Sequence, residues 1–178
     1  MLRIILIFLG LSLIPNALFA RLGEVEKENE QRFGNSVENV NDKYSPILRE
    51  ATNKTYHFHG WKIRIGYLND HAVRLRYSKL PAPGQSPVLK EDEIEAVLKA
   101  ESHGGKWSKL GGGRLFRKKT GNKGFDSAQQ RWVNSKNFIA YTPLGNMSIF
   151  VEIPEAAVWE NALDQHKENQ RKENIPKF

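Results

Sequence analysis

Between Thr55 and Tyr77 large apolar side chains recur at every second position, and an antiparallel β-meander buries such a pattern on one face. The runs are Tyr56 and Phe58, then Trp61, Ile63, Ile65 and Tyr67, then Val73, Leu75 and Tyr77. His59-Gly60 suits a two-residue hairpin turn, which pairs Phe58 with Trp61 and Tyr56 with Ile63. At the next reversal, a two-residue turn at Asn69-Asp70 would pair Ile65 with Arg74 and set the faces out of phase. A three-residue loop, Asn69-Asp70-His71, instead pairs Tyr67 with Val73, Ile65 with Leu75 and Ile63 with Tyr77. A one-residue slip turns every side chain to the other face, so the spacing predicts the three-residue loop. The second face of the meander then carries His57, Lys62, Arg64, Arg74 and Arg76.

The segments around the meander read as helices and further strands. Gly23 to Phe33 has helical spacing with acids in its first turn and Gly34 as a stop. Asn35 to Lys54 is polar and weakly patterned, and Ser78 to Lys90, with three prolines and a glycine, is a linker. Glu91 to Ser102 is predicted helical, with an acidic first turn, a buried stripe of Ile94, Val97 and Leu98, and Gly104-Gly105 at its end; Lys90 is a poor N-cap. Arg114 to Lys118, Gln130 to Val133, Asn137 to Thr142 and Met147 to Ile153 read as strands. Pro154 opens a helix to about His166, and Lys167 to Phe178 is a charged tail predicted to fray. The order helix, three strands, helix, three or four strands, helix predicts one α+β domain over 21–166. Its antiparallel meanders carry the helices on one face.

The first 20 residues read as a leader. Arg3 precedes an apolar run of eleven residues, Ile4 to Ile14, broken by Pro15 and closed by Leu18-Phe19-Ala20. Charge order, run length and the small residue at the end match a cleavable signal peptide, with a mature start near Arg21; Leu18 is bulky for the third position before the cut. The run is short of the roughly 20 apolar residues that span a bilayer, so no transmembrane segment is expected in the mature chain. The expected destination is the periplasm or the extracellular space of a bacterium. Zero cysteines exclude both a disulfide framework and a lipid anchor on a cysteine at the cut.

Removing the leader also removes Arg3, leaving 26 basic against 20 acidic residues and a net charge of +6. Such a chain favours anionic partners: a glycan, a lipid headgroup or an acidic protein. Nucleic acid suits the charge but not the compartment. The excess is local. Lys106, Lys109, Arg114, Arg117, Lys118, Lys119 and Lys123 are seven cations within 18 residues, with no acid among them. Like-charge blocks also arise as solvated edges that discourage strand pairing. Arg64 and Arg76 face each other in the predicted register, where uncompensated like charges cost roughly 0.2–1 kcal/mol. A nearby acid or an anionic partner is therefore expected. A C-terminal helix laying its glutamates over that face removes the need.

Arg21-Leu22-Gly23-Glu24, seven residues and then Arg32-Phe33-Gly34 resembles the opening of small, uncharacterised exported bacterial proteins. In these a meander and an acidic helix before Gly-Gly-x-Trp follow, here Glu91 to Trp107. The resemblance spans about Arg21 to Trp107 and implies export without implying an activity. The layout also loosely resembles the helix-plus-meander units of β-lactamase-inhibitor-like and outer-membrane-assembly lipoprotein domains, which implies an interaction role.

Catalytic patterns are sparse. His57 and His59 lie on one strand, but His71 sits at the far end of the next one, about 25 Å away at ~3.3 Å per residue, so the three share no metal. Ser127, His103 and Asp126 can be assembled as a set, without the Gly-x-Ser-x-Gly elbow that would support it. Glu91 and Glu95 read as a solvated helix surface. Gly104-Gly105 and Gly111-Gly112-Gly113 lack the phosphate-loop lysine pattern and read as turns, so no cofactor is expected. The leading expectation is a non-enzymatic interaction module contacting anions through Lys106 to Lys123, with Arg64 and Arg76. The alternative is a hydrolase with an unrecognised site near the histidines and the Gly-rich loop.

Overall fold

The computed structural model describes residues 21–37, 44–110, 125 and 127–174. The first hairpin forms as the alternation requires. Strand β1 (Thr52–Phe58) turns into β2 (Trp61–Leu68) through His59 at φ 46° and Gly60 at φ 80°, a left-handed pair that suits the strand twist. Phe58 pairs with Trp61 and Tyr56 with Ile63.

The second hairpin reaches the expected phase by a different route. The turn holds two residues, Asn69 and Asp70, at φ 49° and 66°. Leu68 pairs with His71 and Tyr67 with Ala72; the register then passes to Gly66 opposite Arg74, skipping Val73. That bulge puts Val73 and Arg74 together opposite one residue and restores Ile65 to Leu75 and Ile63 to Tyr77. The predicted three-residue loop is thus replaced by a tight turn plus a bulge in β3 (His71–Lys79). Both insert one residue, which is all the burial pattern demands.

Helix α1 (Glu26–Phe33) begins later than Gly23 because residues 22–25 are tied to β3. Gly23 N–H donates to the Ala72 carbonyl (2.7 Å), and Ala72 N–H donates back to Glu24 (2.9 Å). Helix α2 (Glu91–Ala100) buries Ile94, Val97 and Leu98 as expected. Lys90 offers no capping oxygen; the Glu93 carboxylate instead accepts the Lys90 N–H at 2.7 Å. Strands β5 (Gln130–Asn134), β6 (Ile139–Thr142) and β7 (Ile149–Glu152) follow the predicted runs, and a short β4 (Trp107–Lys109) precedes them. The predicted strand Arg114 to Lys118 lies outside the described residues. Helix α3 (Pro154–Glu173) extends past His166, so Lys167 to Glu173 are helical.

The strands form one antiparallel sheet in the order β1-β2-β3-β7-β6-β5-β4, seven strands among the described residues. The α+β class and the element order match the sequence reading. On one face Tyr56, Ile63, Ile65, Leu75, Tyr77, Trp132, Ile149 and Val151 pack beneath Phe33 of α1 and Ile94, Val97 and Leu98 of α2. The third helix departs from expectation and lies against the opposite face. There Leu48, Val73 and Ala156 form a second small core, with Trp159 packed on it. The bulge explains the foothold, because it brings Val73 onto an otherwise charged face. Gly66 makes the close approach possible: a Cβ there would lie 2.7 Å from Leu48 Cβ.

Candidate anion-binding edge and its surroundings

The basic segment begins at β4, the last strand in the order of the described sheet. Ser135 N–H donates to the Lys106 carbonyl (3.1 Å) and Lys106 N–H to Ser135 Oγ (3.2 Å), which continues the β4–β5 ladder by one pair. Lys136 Nζ donates to the His103 carbonyl at 2.6 Å, just past α2, where a cation meets the helix dipole favourably. Lys106 is exposed. Lys109 stands 5.4 Å over the Trp132 ring, and its Nζ lies 3.1 Å from Glu91. Both partners of that pair are about half exposed, at 52% and 58%, so the link contributes about 0.2–1 kcal/mol and exchanges readily for another anion. Arg114, Arg117, Lys118, Lys119 and Lys123 lie outside the described residues.

Arg64 and Arg76 are register partners, as the alternation predicts. Their face, however, is roofed. Arg64 is 5% exposed and donates to the Ser45 carbonyl at 2.6 Å. Arg76 lies 5.2 Å over the Phe150 ring, which stacks on Tyr141 at 5.0 Å and 4°. Arg131, opposite Tyr141, lies 5.6 Å over Phe125. The result is one row across six strands: Thr55, Arg64, Arg76, Phe150, Tyr141, Arg131. Burial pushes the Tyr141 phenol up, with Glu152 adding to it.

The neighbouring row is where the helix acids arrive. Arg74 donates to Glu152 (2.5 Å), to the Ile47 carbonyl (2.7 Å) and to Glu160 of α3 (3.3 Å). Arg49 binds Glu160 and, at 2.8 Å, Asp164. The acids of α3 thus reach this side of the sheet at Arg74, with Arg49 beside it. Arg64 is an interior residue rather than part of an external contact surface, and Arg76 is packed against Phe150.

The histidines are dispersed. His57 and His59 are exposed, His59 in the first turn; His71, at the other end of β2, donates from Nδ1 to the Gly23 carbonyl (2.9 Å). Among the described residues no group of three or more His, Cys, Asp or Glu is placed to hold a metal. His103 follows Ser102, which bonds the Asn134 end of β5, whereas Ser127 precedes the Gln130 end of that strand. Asp126 lies outside the described residues.

A fully buried acid is the constellation that sequence reasoning missed. Glu101 accepts the Tyr77 hydroxyl (2.8 Å) and the Leu22 N–H (3.2 Å), with His103 Nε2 at 3.7 Å. Burial raises its pKa, opposed by His103, Tyr77 and the Leu22 N–H. Burial, with the neighbouring carboxylate, likewise drives the Tyr77 phenol well up. The signal was legible: Ile94, Val97, Leu98 and Glu101 fall at i, i+3, i+4 and i+7, so the acid lies on the buried stripe. Glu101 joins three elements, the Leu22 segment, β3 and the end of α2.

The motif residues also meet. Glu24 and Arg32 form a two-point salt bridge at 2.7 and 2.8 Å, linking Arg-Leu-Gly-Glu to Arg-Phe-Gly. Gly23 at φ 85° and Gly34 at φ 83° supply the left-handed positions that the turn and the helix end require. Comparison of the chain with protein-family models, with curated proteins and with solved structures returned no match.

Proposed function

We propose that this chain is an exported, non-enzymatic interaction module that binds an anionic envelope or extracellular partner through the Lys106 to Lys123 segment. The observation that carries the reading is the concentration of seven cations, without an acid, in a segment that opens on the last described strand with Lys106 exposed and Lys109 half exposed in its pair with Glu91. Lys136 adds a further cation at the same corner. Arg3, the apolar run Ile4 to Ile14 and the small Ala20, in that order, support export, and no helix among the described residues is long and apolar enough to cross a membrane. Arg64 and Arg74 are buried and Arg74 is paired with Glu152 and Glu160, which favours the exposed lysines as the anion-facing surface. Glu101 itself is fully buried, and it fastens the N-terminal segment through the Leu22 N–H.

The test is retention across a salt series on three supports: a sulfated glycan resin, phosphatidylglycerol vesicles and immobilised polyglutamate. Binding to at least one that weakens steeply between 50 and 300 mM salt (concentrations chosen for the assay, spanning Debye lengths of about 14 to 6 Å) supports the reading. No retention on any of the three at low salt overturns it.

A further inference from the structure

Resting on the export reading, we propose that the fold contains a seat for its own processed N-terminus: the α-ammonium of Arg21, freed by cleavage after Ala20, binds Glu24 held by Arg32. In the unprocessed chain the Arg21 nitrogen is an amide, and it already donates to Glu24 Oε2 at 3.3 Å. Addition of water across the Ala20–Arg21 bond, catalysed by a signal peptidase, leaves a carboxylate on Ala20 and an amine on Arg21. That amine takes up a proton at neutral pH, since α-amino groups titrate near 7.7–8.0. The donor thus gains a charge in the place where a carboxylate waits.

The seat is built from several elements. Glu24 N–H donates to the Arg21 carbonyl (3.2 Å), closing a four-residue turn with Gly23 at φ 85°, the conformation a glycine supplies at that place. Arg32 grips both Glu24 oxygens, so the carboxylate is aimed before the ammonium arrives. Leu22 is buried at 4% exposure, and its N–H ends on the fully buried Glu101. Gly23 and Glu24 are bonded to Ala72, and the Gly23 carbonyl to His71. Register is therefore set residue by residue from Leu22 onward, and only an N-terminus at Arg21 puts its charge beside Glu24. This accounts for the Arg-Leu-Gly-Glu and Arg-Phe-Gly segments as one device for holding a new chain end.

The full chain is expressed in a bacterial host and the exported product examined by intact mass and N-terminal sequencing; the expected first residue is Arg21. The α-amine is then acylated at pH 7 in three purified chains: the Arg21-starting protein, its Glu24→Gln variant, and a chain with one extra glycine before Arg21. The ion pair holds the amine protonated, so labelling of the first should be slower than the other two by about three- to tenfold, the equivalent of a half to one pKa unit. The extra-glycine chain keeps every native side chain, so its result stands even where Glu24→Gln disturbs folding. An exported product starting elsewhere, or equal labelling in the first and third chains, overturns the seat. Retention of the uncleaved chain inside the cell overturns the export reading instead, and the purified Arg21-starting chain still decides whether the seat exists.

Discussion

Gly66→Ala is the substitution that most severely tests how the second face of the sheet is covered. A methyl on Gly66 would sit 2.7 Å from Leu48 Cβ and 3.3 Å from its Cδ2, with Ile47 Cγ1 at 3.6 Å. Ordinary carbon contacts lie near 3.5–4.0 Å, so about 1 Å of movement is required. Leu48 cannot yield by a rotamer change, because the colliding Cβ is bonded directly to backbone that Asn53 clamps through both the Leu48 N–H (3.0 Å) and carbonyl (2.8 Å). The segment must move as a unit, which strains the bond from Arg74 to the Ile47 carbonyl. Overpacking costs about 1–3 kcal/mol, and weakening a charge-assisted bond adds up to about 1.5–3. Alanine's advantage in a strand offsets roughly 0.5–1 of this. The net loss of about 2–4 kcal/mol corresponds to a fall in Tm of roughly 5–15 °C for a chain of this size. Differential scanning calorimetry of the Arg21-starting chain measures it. Leu48→Gly removes both colliding atoms, and in that background Gly66→Ala should cost less than about 1 kcal/mol. A single-variant loss below about 0.5 kcal/mol, or an undiminished loss in the Leu48→Gly background, refutes the packing.

Gly34→Ala places a side chain at φ 83°, ψ −168°, a region that is essentially glycine's own, and should cost about 1–3 kcal/mol by urea unfolding; open space surrounds that Cβ, so an unchanged midpoint would contradict the conformational argument. Glu152→Ala strips the closest partner from the buried Arg74, and the loss should fall near 3 kcal/mol, the lower end for broken buried pairs, because Glu160 remains 3.3 Å away. A cost below about 1 kcal/mol would mean that Glu160 suffices alone. Glu101→Gln tests the buried acid by pH. With its folded pKa raised above the ordinary 4.5 by burial, Glu101 binds a proton more tightly folded than unfolded, so its contribution declines as pH rises through that window. The variant's Tm relative to wild type should therefore climb between pH 4 and pH 7; a difference independent of pH would show an unshifted carboxyl.

The core face was legible because alternation leaves little freedom. Tyr56, Ile63, Leu75 and Tyr77 could share a face in only one phase. The second turn was not, since a three-residue loop and a two-residue turn with a bulge at Val73 satisfy that phase equally. Placing α3 on the opposite face needed the bulge, because the sequence otherwise presents that side as Arg64, Arg74 and Arg76. Those arginines looked like surface for the same reason: the groups that receive them, Glu152 and Glu160 for Arg74, the Ser45 carbonyl for Arg64 and the Phe150 ring for Arg76, lie far along the chain. Strand β4 was missed because Trp107-Ser108-Lys109 is too short to show a period. Glu101 was overlooked as a charged residue, although its spacing put it among the buried ones. The cationic run after Trp107 was plain from composition alone.

Anion binding is proposed to reside in that run. Exchanging Arg114, Arg117, Lys118, Lys119 and Lys123 for glutamine, with folding checked by circular dichroism, isolates it from the buried arginines. The measurement is the salt concentration at which each protein leaves a sulfated glycan column. The variant should elute at markedly lower salt than wild type, while keeping its unfolding temperature. Elution of both at the same salt would contradict it.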